Sequence, residues 1–382
     1  MRAIFVVFSC LITAIAVTLD FTHPSPDSPA CRYGLCRYDQ VFAAIDARGM
    51  NARTVGALLN LDPSNPLVWS TWAETLSAAG RTQEAASAFN EAVALGPGMS
   101  PVLMRRANFD FAHGRLDDAF RTTNAILKQT DAFDQVLFSY LTLSGHPVSA
   151  LAGVAVPALS RPAGSWLSWL RTAGSVKDLR ELSSWMLSNR LLDQKSAGDL
   201  AWAFWQRKEF TTAQKFWSDW SGNPNAADLH AERIADIHFQ QAPGESPFDW
   251  MVMPVAGVEI NRKDGLEIQF SGSSNLAFAN VRQFTTVAGG RYRFSALISA
   301  ESISTDQGPF FHIYDLLDPR LLNITTEQIK GNVARSPIAV DVPVPPGIHA
   351  LGIQIDRLPS QKFDNKISGT LHVYQVSLEP VH

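Results

Sequence analysis

The chain has 382 residues, of which 46% are apolar and 18% are charged. One hydrophobic core rarely grows beyond about 250–300 residues, so this length predicts two packed domains. The net charge of −4 and the lack of a dense Lys/Arg run exclude the electrostatic pattern of a nucleic-acid-binding protein, and we expect no nucleic-acid partner.

The N-terminal segment predicts export. Arg2 is followed by an uncharged, mostly apolar run over residues 3–19. A basic start before an apolar stretch is typical of a secretory signal peptide or a membrane anchor, which we assign to residues 1–20. The Ala-Ile-Ala sequence at 14–16 fits cleavage, whereas an uncut run would anchor the chain in the inner membrane. Both alternatives place the rest of the chain in the periplasm, and a buried N-terminal core helix is the remaining alternative.

Residues 21–35 are predicted to form a linker. Three prolines within 21–30 are interspersed with small polar residues, a composition typical of an extended tether. In an oxidising compartment, two cysteines as close as Cys31 and Cys36 favour a local disulfide over two free thiols. A metal site would need further ligands, which the neighbouring residues do not supply.

A repeat organises the helical part of the sequence, to which we assign residues 36–222. Adding 34 to Gly80 gives Gly114, and adding 34 to Ala85 gives Ala119. The small residues let two helices approach closely, and glycine gives the turn between them an unhindered backbone. Further aromatic, small and apolar positions of the first unit are Trp69, Trp72, Ala73, Leu76, Phe89, Ala92 and Pro97.

This pattern resembles the tetratricopeptide repeat (TPR), a pair of antiparallel helices that stacks into an α-solenoid. A second unit over 100–131 departs from the pattern at Asp110 and Thr123, where the repeat has apolar residues, and a third match lies at 196–220. The resemblance implies a concave groove that holds a protein partner. For the tryptophans of this region, packing between successive hairpins is the alternative. The groove candidates are Met104, Asn108, Phe111, Trp202 and Trp205.

The hydrophobic period falls to two residues after a connector at 223–236, for which we predict a short helix over 226–235. Apolar and polar residues alternate over 266–270, 292–296 and 351–355. Such alternation is typical of half-buried strands. Short strands without helices between them predict an antiparallel β-sandwich over 237–382. The fold class is therefore multidomain, with an α-solenoid followed by a sandwich.

The order of features in the sandwich region resembles a jelly-roll carbohydrate-binding module (CBM) of the type appended to xylanases and laminarinases. The passages that carry the resemblance are 237–250, 281–294 and 369–378. Family members often hold a structural calcium with a Glu and an Asp, but the matching positions here carry Gln240 and Tyr374. These side chains offer weak or no anionic oxygen to a hard cation. We therefore expect no calcium, no other metal and no cofactor.

A sandwich that binds polysaccharide needs aromatic faces to stack on sugar rings and polar side chains to bind hydroxyls. Phe363, in the loop 358–366, is the aromatic residue that we expect to be exposed, and Trp250 is expected to close one end of the sandwich. His312 is expected to be a strand histidine with a satisfied partner. The glycan-binding candidates are Phe363, Tyr314, Phe311, Gln354, Asp356 and Asn365.

Catalytic motifs are missing from the sequence, which has no Gly-x-Ser-x-Gly elbow, phosphate loop or metal-spaced histidines. We expect a non-enzymatic binding and scaffold protein of the bacterial envelope. A TPR solenoid joined to a CBM-like sandwich resembles proteins found with exopolysaccharide assembly systems. Two alternatives stay open: an assembly factor that binds only proteins, and a glycan-active enzyme at the domain junction, because a catalytic carboxylate pair is set by three-dimensional separation.

Overall fold

The computed structural model describes residues 52–222, 233–242, 244–363 and 365–381. The predicted signal segment, the linker and the disulfide between Cys31 and Cys36 lie outside the described residues. Among the helices that the structure describes, none is long and apolar enough to cross a membrane.

The chain divides into two compact units, Met1–Trp166 and Leu167–His382. The second unit contains the last helices together with all the described strands. The sequence predicts the end of the helical domain at residue 222, after the last helix of the solenoid. This boundary stays a prediction.

Helices fill the described chain up to Ser221, as the hydrophobic period predicted. The first two hairpins begin at an Asn65-capped Pro66 and at Ser100, and Asn65 accepts hydrogen bonds from the amides of Leu67 and Val68. The helices are α1 (Ala52–Leu61), α2 (Pro66–Ala78), α3 (Thr82–Leu95), α4 (Ser100–Ala112), α5 (Leu116–Gln129), α6 (Asp134–Leu143), α7 (Val148–Leu151), α8 (Ser160–Ala173), α9 (Val176–Ser188), α10 (Gln194–Gln206) and α11 (Phe210–Ser221).

The turns of the hairpins explain the glycine spacing. Gly80, between α2 and α3, has φ 75°, and Gly114, between α4 and α5, has φ 67°. Both lie in the left-handed region, which glycine adopts without the steric penalty of a Cβ. In the hairpin of α10 and α11 the turn carries Lys208 instead, at φ 63°. The predicted helical hairpins are therefore confirmed, and the third one closes without a glycine.

The hairpins of the first unit are held together by small and aromatic side chains. Ala73 and Ala85 are fully buried between α2 and α3, where larger residues would hold the two helices apart. Phe89 of α3 packs on Phe109 of α4, with ring centroids 5.1 Å apart. Successive hairpins therefore share one core, as in a solenoid.

The departure from the TPR pattern at Asp110 is a buried ion pair. The Asp110 carboxylate is fully buried and accepts a hydrogen bond from Arg106 Nε at 2.5 Å and one from Arg115 Nε at 3.1 Å. Arg106 also donates to Asn90 Oδ1 of α3 at 2.7 Å, which links the two hairpins. A carboxylate can stand at this core position because two guanidinium groups satisfy its oxygens.

The second unit contains two antiparallel sheets. The first sheet has the strand order β1-β4-β9-β6-β7 and the second has β2-β3-β10-β5-β8. The strands are β1 (Met251–Val252), β2 (Val258–Asn261), β3 (Leu266–Ser271), β4 (Phe278–Thr286), β5 (Gly290–Ser304), β6 (Phe310–Asp315), β7 (Asn323–Thr325), β8 (Gly331–Val344), β9 (Ala350–Arg357) and β10 (Ser368–Pro380).

The two sheets bury one common core, which makes the fold a β-sandwich. Phe294 of β5 and Phe311 of β6 come from different sheets, and their ring centroids lie 5.1 Å apart. Trp250 is buried at the edge of this core, where its indole N–H donates to the Asp236 carbonyl oxygen at 3.2 Å. The predicted antiparallel sandwich is confirmed.

Helices α10 and α11 pack on the sandwich within the second unit. Trp205 of α10 is buried, and its ring stacks on Phe284 of β4 with centroids 5.7 Å apart. Phe248 and Phe210 contact the same indole edge-on. This aromatic cluster joins the last helical hairpin to the first sheet.

The end of the predicted connector helix, 233–235, is not helical. Its backbone binds the sandwich instead: the Arg233 amide donates to the Leu378 carbonyl oxygen, and Ala235 exchanges two hydrogen bonds of 3.0 Å with the side-chain amide of Gln283. The Arg233 guanidinium donates to Gln214 of α11 at 3.0 Å. These bonds replace the helical ones and correct the prediction of a helix at these residues.

Gly198 of α10 lies against the backbone of the segment before β1. A Cβ at this position would lie 2.6 Å from the Glu245 carbonyl oxygen. We expect Gly198→Ala to lower the free energy of unfolding by about 1–3 kcal/mol through overpacking. Gly164 of α8 is the matched control, because a Cβ there meets no atom within 4 Å. Gly164→Ala should raise stability by up to about 1 kcal/mol. Urea titrations that show equal stabilisation by both substitutions would contradict the close contact at Gly198.

Candidate functional site

Polar side chains gather on the outward side of the first sheet. Strand residues alternate between the two faces, so the buried Ile353 and Ile355 point into the core while Gln354 and Asp356 point outward. Outward residues that stand directly opposite one another on β4, β9, β6 and β7 form two rows across the sheet. We call these two rows, together with Asp356, the outer face. The rows are Arg282, Gln354, His312 and Thr325, and Phe284, Gly352, Tyr314 and Asn323.

A chain of hydrogen bonds fixes the polar side chains of the outer face. His312 Nδ1 donates to Asp356 Oδ2 at 2.8 Å, and His312 Nε2 lies 2.9 Å from Asn323 Oδ1. The Gln354 amide donates to the other carboxylate oxygen of Asp356. The Tyr314 hydroxyl donates to Gln354 Oε1 at 3.3 Å. The five side chains are thus held in one geometry before any ligand arrives.

Tyr314 lies across the backbone of the neighbouring strand. A Cβ on Gly352 would lie 2.4 Å from Tyr314 Cζ, so the ring takes the place that a side chain at 352 would occupy. The His312 ring lies 4.7 Å from the Tyr314 ring, centroid to centroid. Burial raises the pKa of the Tyr314 phenol, which keeps its hydroxyl protonated and available as a donor. Glycine at 352 therefore positions the aromatic ring of the outer face.

Arg282 is the cation of the outer face. Its guanidinium carbon lies 5.5 Å from the Phe284 ring centroid. Its Nε is buried, and in the described part of the chain the Arg282 side chain has neither an ion pair nor a hydrogen bond. A guanidinium in this condition can bind an incoming acceptor without first breaking a hydrogen bond or an ion pair to the described residues.

The structure brings together three of the six glycan-binding candidates, namely Tyr314, Gln354 and Asp356. Phe311 is a correction: it is fully buried in the core, because it alternates with the outward-facing His312. Phe363 is fully exposed in the loop after β9, as predicted. Asn365 lies in the same loop, where its backbone carbonyl oxygen accepts a hydrogen bond from Arg357.

The groove candidates of the helical part divide between the two units. In α4, Met104 is buried, Asn108 is exposed, and Phe111 is half-buried against Tyr140 of α6 at 5.0 Å between ring centroids. Trp205 is a correction, since its ring is buried against β4 and lines no groove.

Trp202 also packs on β4, although it stays half-buried. Its indole contacts Phe284 edge-on, with ring centroids 6.1 Å apart. Both tryptophans of α10 therefore pack on the sandwich. This packing differs from both sequence interpretations, the groove and the contact between successive hairpins.

The polar residues His312, Asn323 and Arg282 of the outer face were among those missing from the sequence-based candidates. The alternation of the segment 310–315 places His312 on the same side as Tyr314, so this residue had a readable signal. The positions of Arg282 and Asn323 follow only from the register of β4 and β7. Among the described residues there is no cluster of His, Cys, Asp and Glu that could hold a metal ion.

Comparison with known proteins gives a family match for the repeats. Residues 76–137 match the family model described as tetratricopeptide repeat. No curated protein matches the sequence. Among solved structures, PilF of Pseudomonas aeruginosa is 12% identical over 48% of this chain and 73% of its own, with a TM-score of 0.24.

Carbohydrate-binding modules are also among the similar solved structures. A CBM4 structure is 14% identical over 39% of this chain and 99% of its own, with a TM-score of 0.28. A module of Cellvibrio mixtus lichenase 5A, in complex with cellotriose, is 11% identical over 41% of this chain and all of its own, with a TM-score of 0.22. Residues 76–137 of the helical part therefore match the tetratricopeptide repeat, and the strand-rich part is a β-sandwich whose structural neighbours include carbohydrate-binding modules.

Proposed function

We propose that this protein is a non-catalytic binding and scaffold protein of the bacterial cell envelope. In this proposal the sandwich binds a glycan on its outer face, and the helical repeats hold a protein partner. The observation that carries the proposal is the hydrogen-bonded chain around Tyr314, in which an aromatic ring stands beside an amide, a carboxylate and an imidazole. Exopolysaccharide assembly in the periplasm is the setting that we propose, supported by the signal-like segment at 1–20.

The outer face has the chemistry that sugar recognition requires. A pyranose ring offers apolar C–H faces, which pack on aromatic rings, and hydroxyls, which both donate and accept hydrogen bonds. Asp356 is an acceptor, Gln354 and Asn323 carry both donors and acceptors, and Tyr314 supplies the ring. Because these groups already bind one another, a ligand meets them in fixed positions and little side-chain entropy is lost on binding.

The repeats offer a separate surface for a protein partner. TPR hairpins are interaction scaffolds, and α4 presents the exposed Asn108 beside the half-buried Phe111. We propose this helix as part of the contact surface. The proposed contact surface does not include Trp205 of α10, which packs on the sandwich.

Glycan binding is tested by affinity electrophoresis of the full chain through gels that contain bacterial exopolysaccharides. We expect Tyr314→Ala and Gly352→Ala each to weaken retardation by about tenfold or more in Kd, or ~1.4 kcal/mol. Tyr314→Ala removes the ring, whereas an alanine at 352 displaces it, because the new Cβ would lie 2.4 Å from Tyr314 Cζ.

Tyr374→Ala is the matched control. This tyrosine is also half-buried on a strand, but it belongs to the second sheet, where Arg335 packs over its ring at 3.9 Å from the centroid. Tyr374→Ala should leave the retardation by polysaccharide unchanged. A weaker retardation of Phe363→Ala would show that the exposed loop contributes to glycan binding. Absence of retardation by every envelope polysaccharide would favour a protein-only assembly factor. Release of reducing ends from these polymers would replace the proposal with an enzyme.

A further inference from the structure

We infer that the glycan recognised by the outer face is acidic, and that Arg282 binds a carboxylate of one of its sugar residues. This inference rests on the proposed function and names its ligand class. The structural basis is the Arg282 guanidinium, whose Nε is buried beside the hydrogen-bonded chain with no partner among the described residues.

Among the described residues, the carboxylates near the outer face are engaged with groups other than Arg282. Both oxygens of Asp356 are already engaged, one by His312 and the other by Gln354. Asp315, at the end of β6, is buried and accepts hydrogen bonds from the amides of Leu317 and Asp318. Asp318 forms an ion pair with Arg320 at 2.7 Å. The carboxylates of these neighbouring strands and of the loop after β6 are therefore committed elsewhere.

A buried guanidinium nitrogen without an acceptor is uncommon in native proteins. Most buried polar groups are hydrogen-bonded, and exceptions call for an explanation such as an unseen ligand. The fork of Nε and Nη atoms matches the two oxygens of a carboxylate, and such bidentate pairs are stronger than hydrogen bonds between neutral groups. The Phe284 ring beside the guanidinium limits where the side chain can go. Arg282 is thus a guanidinium whose buried Nε lacks an acceptor among the described residues, and a bound carboxylate would supply one.

The position of Arg282 ties it to the sugar site. In the sheet register Arg282 stands directly opposite Gln354, and directly opposite residues are about 4.5–5.5 Å apart at Cβ. Gln354 in turn accepts the hydroxyl of Tyr314. A sugar ring that packs on Tyr314 and binds Gln354 therefore brings a ring substituent within reach of Arg282. A hexuronic acid carries a carboxylate as such a substituent.

The test compares acidic polymers with the same polymers after chemical reduction of their carboxyl groups. The probes are polygalacturonate and alginate, each with its carboxyl-reduced form, titrated into the full chain by calorimetry. We expect the native chain to bind at least one polyuronate about tenfold or more tighter than its reduced form. Arg282→Gln should abolish that difference. Arg282→Lys should recover only part of it, since lysine keeps the charge but lacks the fork.

The outcomes separate this inference from the proposed function. If the native chain binds neutral or reduced polymers as tightly as the polyuronates, or if Arg282→Gln keeps the preference, the carboxylate role is overturned while glycan binding stands. If no polymer binds, both fail. Equal thermal unfolding of the native chain and Arg282→Gln shows that the variant is folded, and Arg293→Gln, which changes an exposed arginine of the second sheet, controls for loss of one positive charge.

Discussion

Replacing Asp110 by alanine is expected to lower the free energy of unfolding of the helical repeats by about 3–5 kcal/mol. The substitution removes the carboxylate closest to the buried Arg106 and leaves only Asp118, 3.7 Å from Arg106 Nη2, as its ion-pair partner among the described residues. A buried charge with so little compensation strongly destabilises a core. The loss is measured from the shift in the urea midpoint of the helical circular dichroism signal. An unchanged midpoint would contradict the buried ion pair.

The double variant Arg106→Met/Asp110→Leu provides the control. Burial raises the pKa of Asp110 more than its arginine partners lower it, so desolvation outweighs the attraction that the pair provides. Replacing both charges with apolar residues, as the TPR pattern has at this position, is therefore expected to recover most of the stability. A double variant as unstable as Asp110→Ala would show that the network itself, including the bond to Asn90, holds the hairpins together.

Replacing Arg357 by alanine is expected to lower the free energy of unfolding of the sandwich by at least about 3 kcal/mol, since hydrogen bonds to a charged group contribute about 1.5–3 kcal/mol each. Its side chain is almost fully buried and donates five hydrogen bonds to three loops that meet at one end of the sandwich. The acceptors are the carbonyl oxygens of Gln307, Leu276 and Asn365, the Asn275 side chain and the Thr305 hydroxyl.

Proteolysis gives a local readout of the Arg357 change. Phe363 is fully exposed in one of the three loops and is a site for chymotrypsin. We expect Arg357→Ala to speed cleavage after Phe363 in the folded chain, because the bond that holds the Asn365 backbone is lost. Arg357→Lys keeps the charge but cannot reach all the acceptors. Its stability and its rate of cleavage should therefore lie between those of the native chain and of Arg357→Ala. Native-like cleavage and stability in Arg357→Ala would contradict the anchoring role.

The helical repeats could be predicted from the sequence because their signals are local. Gly80 and Gly114 mark turns with left-handed backbone, and the small residues at Ala73 and Ala85 lie where two helices touch. The third hairpin was also predicted, although its turn has Lys208 in the left-handed region. The packing of this hairpin on the sandwich could not be predicted, because the repeat pattern does not specify that β4 covers Trp205.

The sandwich was predicted as a fold, but its outer face only in part. Strict alternation in the segment 310–315 separates Phe311, which is buried, from His312 and Tyr314, which face outward. Residue type alone does not separate the two sides of the strand, and for this reason the buried Phe311 was predicted together with Tyr314. The pairing of Arg282 with Gln354 joins strands that are far apart in sequence, and no local pattern encodes that register.

Oxidative footprinting of side chains, with and without a bound polysaccharide, tests the central claim most directly. The two sheets supply a matched set, since each carries a histidine and a tyrosine in contact: His312 with Tyr314, and His372 with Tyr374. Binding at the outer face predicts that saturating polysaccharide slows oxidation of the first pair and leaves the second unchanged. Equal protection of both pairs, or protection of the second alone, would contradict the account.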